Sequence, residues 1–223
     1  MTNNESATAP TMEIECYTGG YFQTNGYLLR CPQGHILIDA PEGVAAWLQE
    51  KNVAIDALLL THLHYDHVID AALLKSEQPK CRILAHSAYD DDLTLATFLS
   101  QSIGWPANLQ DFEVDELLAG QENLKIVGLD FSLKHVPGHS PDSLCFYLAG
   151  ESDGGCGSSL LFGGDVLFNG GIGRTDFPNG GTELLLSGIH EKVLTLPDET
   201  MVFPGHGPDT TVAQEKQSNP FLS

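Results

Sequence analysis

Thr61-His62-Leu63-His64-Tyr65-Asp66-His67 puts three imidazoles and one carboxylate into a single short loop. Such a run packs poorly and holds a cation well. Just upstream, Ile55-Asp56-Ala57-Leu58-Leu59-Leu60 is an apolar run with the length of a buried strand. Downstream, residues 68–75 carry Val68, Ala71 and Ala72 at helical spacing. The loop therefore sits where a strand ends and a helix begins, the usual place for a site in an open α/β sheet. His62 and His64 share a face only if the backbone is extended there, where side chains alternate with a period of two. Asp66 and His67 are adjacent in the following helical turn and point apart. One extended pair plus two diverging groups suits two neighbouring metal ions. The competing reading, a polar turn with chance histidines, is weakened by four ligand-type residues in six positions.

Composition narrows the function. A chain of 223 residues is long enough for one substantial domain and short for two. The apolar share of 42% and charged share of 18% are globular values. A formal net charge of −20 argues against nucleic acid or an anionic membrane surface as partner and leaves a small-molecule substrate. It does not decide what a pocket binds, because screening in physiological salt acts over about 8 Å. Cys16, Cys31, Cys81, Cys145 and Cys156 are scattered and form no C-x-x-C pair, so neither a disulfide framework nor a cysteine zinc site is indicated. Residues 1–11 are polar and small, without a basic start or an apolar h-region, and read as a mobile leader before a single domain over 12–223. No stretch approaches the ~18 apolar residues of a membrane span. A cytoplasmic protein is expected, and its oligomeric state is left open.

Along the chain, residues 12–17, 26–31 and 34–39 are β-prone runs divided by turn signals, predicting a meander. A helix is expected over 42–51 with Val44, Trp47 and Leu48 as its core stripe. Residues 86–120 form a long acidic connection that is either a lid or, as the favoured reading, mostly packed helix. Further strands are expected near 82–85, 125–136, 143–148, 159–162 and 201–203, with a Gly-rich hairpin tip at 150–157. Thr182 is the expected N-cap of a helix whose buried face is Leu185, Ile189 and Val193.

Three strand ends repeat one form: a Gly- or Pro-rich turn holding a single ligand-type residue. They are His139 in Pro137-Gly138-His139-Ser140-Pro141, Asp165 in Gly163-Gly164-Asp165, and His206 in Pro204-Gly205-His206-Gly207-Pro208. Glycine lets backbone approach a ligand closely and proline stiffens the turn.

H-x-H-x-D-H followed by a lone His, a lone Asp and a final His in this order resembles the metallo-β-lactamase superfamily. Gly173-Arg174-Thr175-Asp176-Phe177 and the Pro-Gly-His-Gly-Pro ending resemble its glyoxalase II-like branch, in particular short bacterial hydroxyacylglutathione hydrolase-like members. The resemblance implies an α/β (α+β) chain folded as a four-layer αββα sandwich with the site at the sheet edges. It implies that His62, His64 and His139 bind one metal and that Asp66, His67 and His206 bind a second. Asp165 would bridge them, with Asp66 and Asp165 as the catalytic carboxylates. Zinc, one ion or two, suits such ligands, and iron or manganese is tolerated. Asp39 and Thr61 match positions that orient the ligating imidazoles, a strand-end cap being the alternative for Asp39. Arg174 is a candidate for a substrate carboxylate or a loop brace.

Zinc brings the pKa of bound water to about 7, so hydroxide is available at neutral pH. A thiolate leaves with little help from a general acid. The leading expectation is therefore a metallo-hydrolase of a small thioester, hydroxyacylglutathione-like. The alternative is a persulfide dioxygenase-like oxidoreductase using one iron on His62, His139 and Asp165, and a noncatalytic metal module is the third class. Two departures stand out: Ile69-Asp70 and Asp142 occupy positions where relatives commonly carry glycine. The sequence also ends soon after His206, where full-length glyoxalase II has a helical domain that grips glutathione, so glutathione recognition is not carried over.

Overall fold

The computed structural model describes residues 12–150 and 158–222. The proposed leader over 1–11 and most of the Gly-rich tip at 150–157 lie outside the described residues. In chain order the elements are β1 (Glu13–Gly19), β2 (Thr24–Cys31), β3 (Gly34–Ile38), α1 (Val44–Glu50), β4 (Ala57–Leu59), α2 (Tyr65–Val68), α3 (Ala71–Glu77), β5 (Arg82–Ala85), α4 (Asp91–Thr94), α5 (Ala96–Ile103) and β6 (Glu116–Leu117). There follow β7 (Asn123–Ile126), β8 (Leu129–His135), β9 (Leu144–Leu148), β10 (Leu160–Gly164), β11 (Leu167–Phe168), β12 (Gly171–Ile172), α6 (Thr182–Gly188), a π-helical turn (Ile189–Val193), β13 (Met201–Pro204), β14 (Thr210–Thr211) and α7 (Val212–Ser218). Among these helices none is long and apolar enough to cross a membrane.

Two six-stranded sheets result, ordered β1-β2-β3-β4-β5-β6 and β14-β13-β10-β9-β8-β7. Alternation along each strand decides the layers. On the first sheet Leu28, Leu37, Leu58 and Ile83 face outward and pack with Val44, Ala45 and Leu48 of α1 and with Ala71 and Leu74 of α3. Their neighbours Leu29, Ile36, Ile38, Leu59 and Leu84 face inward and meet Phe131, Phe146 and Phe162 of the second sheet. The outer face of the second sheet, with Cys145, Leu161 and Val202, is covered by Leu185 of α6 and by Ile189 and Val193 of the π-helical turn. Each large side chain buried this way contributes roughly 1.5–3 kcal/mol. The architecture is an αββα sandwich.

Two expectations are corrected and a third is extended. The helix after the histidine loop is two helices, because Asp70 leaves helical geometry between α2 and α3 and accepts from Ala45 N (2.9 Å), satisfying a donor at the start of α1. Next, α6 begins at Thr182 itself with Gly181 as N-cap. The Thr182 hydroxyl bonds instead to Thr175 Oγ1 (2.6 Å), across to the loop carrying Arg174. Finally, residues 86–120 are both packing and wall. Phe112 joins the outer core with Tyr89, Leu93 and Leu109, while Leu95 and Leu99 face the cavity over the histidines.

Candidate metal centre

Every predicted ligand lies at the carboxyl end of a strand or in the turn after it. β4 ends at Leu59 and delivers His62, His64, Asp66 and His67; β8 leads to His139, β10 to Asp165 and β13 to His206. The seven side chains come together. Ligand atoms of His62, His64 and His139 lie within 4.8 Å of one another, as do those of His62, His67 and Asp165, and those of Asp66, His67 and His206. Asp165 Oδ1 is 3.3 Å from His67 Nε2, and its Oδ2 is 3.4 Å from His139 Nε2 and 3.3 Å from His206 Nε2. His206 Nε2 is 3.3 Å from Asp66 Oδ2.

Two ligands on one ion, with bonds of about 2.05 Å at a tetrahedral angle, are separated by about 3.3 Å. The observed gaps match that spacing. The tautomers make the same point. Nδ1–H of His67 donates to Asp39 Oδ2 (2.9 Å), that of His139 to Arg174 O (2.8 Å) and that of His206 to Phe22 O (3.1 Å). Thr61 Oγ1 donates to Asp39 Oδ2 (2.8 Å) and is left to accept from His62 Nδ1 (3.1 Å). With Nδ1–H facing outward, the Nε2 lone pairs face carboxylate oxygens, acceptor against acceptor. His62 Nε2, His67 Nε2, His139 Nε2 and Asp165 Oδ1 are buried with no hydrogen-bond partner. Orphaned acceptors in the interior cost about 1–3 kcal/mol each unless something positive lies between them, so the residues fit divalent cations.

Electrostatics agrees. Burial, then the neighbouring imidazoles, hold His62 and His64 well below the ordinary histidine range; burial likewise lowers His139 despite Asp165. All three are neutral and able to ligate. At His67, burial opposes the charge and Asp66, Asp165 and Asp39 outweigh it, raising the group. His206 is pushed up to about 10, again against burial, by Asp165 and Asp66. Burial would raise Asp66, but His67 and His206 pull it down to about 2. Without metal, then, two imidazolium protons supply the positive charge the cluster needs.

That has a measurable consequence. A histidine whose folded pKa exceeds its unfolded value contributes stability that is complete below the unfolded pKa and is lost as pH rises through the folded one. For His206 the window runs from 6.5 to about 10. Chelator-stripped protein is expected to lose melting temperature across this window, zinc-loaded protein to hold it, and His206→Gln to make the metal-free curve shallower, the remaining slope coming from His67. Thermal scans in a buffer series check this; a metal-free curve already flat there counts against it.

Asp39 anchors the assembly. Its backbone takes φ 61°, a conformation Asp tolerates better than most residues. From there its carboxylate accepts from Thr61 N, from the Thr61 hydroxyl and from His67 Nδ1. The strand-end cap and the imidazole brace are one arrangement. Asp39→Asn is expected to weaken metal binding by about 10–100-fold with little loss of fold. Competition with a fluorescent chelator measures it, and an unchanged affinity would remove Asp39 from this role.

Asp142 also has a place. It accepts from Leu63 N (3.0 Å) and from the Ser140 hydroxyl, tying the loop of His139 to that of His62 and His64. Burial pushes this carboxyl up to about 6.

Three residues carry a role that no local pattern announced. Thr24 Oγ1 donates to Asp66 Oδ2 (2.6 Å), while Tyr27 OH and Asn25 Nδ2 donate to Pro204 O (2.7 and 3.1 Å), holding the loop of His206 to β2. Arg174, by contrast, spends its charge locally. Its guanidinium makes a paired bond to Asp176 (2.7 and 2.8 Å) and lies 4.1 Å over the Phe177 ring.

Above the cluster lies a cavity of about 410 Å³ reached by His64, Asp66, His139, Asp165 and His206. A sandwich of two mixed sheets with such a metal-ready cluster at their carboxyl edge defines the class. The chain belongs to the metallo-β-lactamase superfamily, whose family model matches residues 19–206, and is an enzyme of the metallo-hydrolase class. A curated relative, hydroxyacylglutathione hydrolase GloC of Haemophilus influenzae, is 38% identical over 95% of this chain and 99% of its own length. Among solved structures, the B3 metallo-β-lactamase BLEG-1 superposes with a TM-score of 0.82 at 34% identity, over 95% of this chain and 100% of that one. TTHA1623 in a di-iron-bound form superposes with a TM-score of 0.76 at 34% identity, over 93% of this chain and 100% of that one.

Proposed function

We propose that the protein hydrolyses small thioesters with two divalent cations. His62, His64 and His139 hold one, Asp66, His67 and His206 the other, and Asp165 both. The observation that carries this is the set of buried, partnerless Nε2 and carboxylate atoms at ligand spacing. Zinc is the ion the N/O donor set suits best; the di-iron form of TTHA1623 supports keeping iron in the test. When bound, the ions supply hydroxide at neutral pH and positive charge against a developing oxyanion.

The chain's own groups do the rest. Asp66, held ionised by His67 and His206 and oriented by Thr24, accepts a hydrogen bond from the attacking water and fixes its direction. Asp39 and Thr61 keep His67 and His62 from rotating. Water's oxygen bonds to the carbonyl carbon, the C–S bond breaks, the thiolate departs with the electron pair and the released proton goes to solvent. A thiolate of pKa about 8.5 needs no general acid, and we assign none. The relative named as a hydroxyacylglutathione hydrolase supports the thioester class. A small-molecule substrate and a cytoplasmic setting are part of the proposal, the acidic surface disfavouring RNA and membranes.

A mononuclear iron oxidoreductase on His62, His139 and Asp165 would leave the Asp66–His67–His206 group without a task, which favours the two-ion reading. Element-resolved metal analysis with a thioester panel is the test. Two zincs or two irons with thioester turnover that His62→Ala abolishes is the expected result. Metal-replete protein without turnover, or indifferent to His62→Ala, overturns it; a single iron with oxygen consumption would establish the other chemistry.

A further inference from the structure

Resting on the thioester reading, we infer that the enzyme selects its substrate by an apolar substituent of the thioester, and not by the charged groups of a carrier thiol such as glutathione. The cavity wall is made by Phe22, Leu95, Leu99, Phe168, Ile172 and Phe177. They come from separate parts of the chain: the β1–β2 turn, the α4–α5 pair, and β11 to the loop after β12. Phe177 packs T-shaped against His64 and His139, with centroids 5.3 and 5.8 Å away, so a group bonded to the reacting carbonyl meets an aromatic ring at once. Further out, Phe22 packs on Trp105 (5.2 Å) and Trp105 on Tyr21 (4.7 Å), and Tyr21 is 74% exposed. The apolar surface thus continues from the cluster to solvent.

Leu95 adds an independent sign. It joins α4 to α5 at φ 58°, a left-handed conformation that a leucine adopts at a cost, yet it is almost fully buried against this cavity. The backbone is strained where it brings an apolar side chain over the cluster.

Charge recognition has no matching equipment. Beyond the histidines of the cluster, Arg174 is the one cationic side chain among the described lining residues, and Asp176 neutralises it. Its planar face, against Phe177, extends the wall. The −20 surface offers no long-range attraction for the carboxylates of glutathione. A pocket of this size and lining discriminates by area removed from water.

The test uses zinc-loaded protein and three substrate sets: acyl chains of two to eight carbons on one neutral thiol, alkyl thiols of rising length on one acetyl group, and acetyl esters of glutathione and of a neutral thiol. Along the acyl or the thiol series kcat/KM is expected to rise about fourfold per methylene until the cavity is full, from the transfer free energy of one buried CH2. Glutathione and the neutral thiol are expected to agree within about threefold, and Arg174→Gln, which alters the wall met by both, to leave the ratio of their kcat/KM values within about twofold. Leu99→Ala is expected to flatten the rising series. Titration calorimetry with non-hydrolysable thioethers provides a readout apart from turnover, expected to show the same gradient with a negative heat-capacity change. Turnover that is flat in both series, or a thirtyfold preference for glutathione lost in Arg174→Gln, overturns the inference and leaves the thioester reading standing. Thioethers that bind with the gradient while no thioester is hydrolysed sink the thioester reading and leave the apolar pocket.

Discussion

Asp165→Asn is expected to lower kcat/KM for thioesters by on the order of 10³-fold and to cost the protein at least one of its ions. The reasoning starts from contacts. Among the described residues Asp165 is the one carboxylate within 3.4 Å of imidazole nitrogens from three separate loops, those of His67, His139 and His206. Asparagine keeps the shape but removes one negative charge and replaces an acceptor with an NH2. That group would occupy space the ions need and would hydrogen-bond to an Nε2 lone pair instead. Loss of a single preorganised charge partner in a reacting site costs about 10²–10³ in rate, and weaker metal retention adds to it. Metal-free stability should also be lost earlier as pH rises: with Asp165 neutral, His206 loses the main group raising it, and its contribution vanishes at lower pH than in the wild type. Steady-state kinetics with metal content on the same preparation decides. Activity within tenfold of wild type at unchanged stoichiometry would show that Asp165 bridges nothing.

The parts of this site legible in the sequence are those where local chemistry is strained toward one use. Four ligand-type residues in 62–67 had no packing rationale, and the turns around His139, Asp165 and His206 advertised close backbone approach. What stayed hidden depends on chain closure. Tyr27 and Asn25 reach Pro204 across 177 and 179 positions, and Thr24 reaches Asp66 across 42, so no short window of sequence contains any of these three pairs. The break between α2 and α3 is not legible locally, because the partner of Asp70 is the N–H of Ala45 on another helix. Leu95 and Leu99 are not distinguishable as cavity residues in the sequence, because apolar lining and apolar core carry the same composition; only the cavity beside them separates the two.

The two glycines flanking His206 should separate activity from stability. A Cβ added at Gly205 would lie 2.1 Å from Asp165 Oδ1, 2.6 Å from His67 Cε1 and 3.2 Å from Gly164 C. These neighbours cannot yield cheaply, because two of them belong to the ligand residues and the third to the backbone that positions Asp165. Gly205 is also pinned at its own backbone, its N–H donating to Gly164 O (2.8 Å) and its carbonyl accepting from Asn25 N (2.7 Å). Gly205→Ala should therefore displace Asp165 and His67, empty the second ion position and lower turnover by about 10²–10³-fold. Gly207 is the opposite case. Its φ of 73° is in the left-handed region, but nothing lies within 4 Å of the added Cβ. Gly207→Ala should cost about 1–2 kcal/mol of stability and leave metal content and kcat close to wild type. Paired measurement of melting temperature, metal stoichiometry and kcat on both variants tests this. On the two-ion proposal, the second ion depends on steric room at one atom of Gly205, and that idea is lost if Gly205→Ala keeps both ions and full activity.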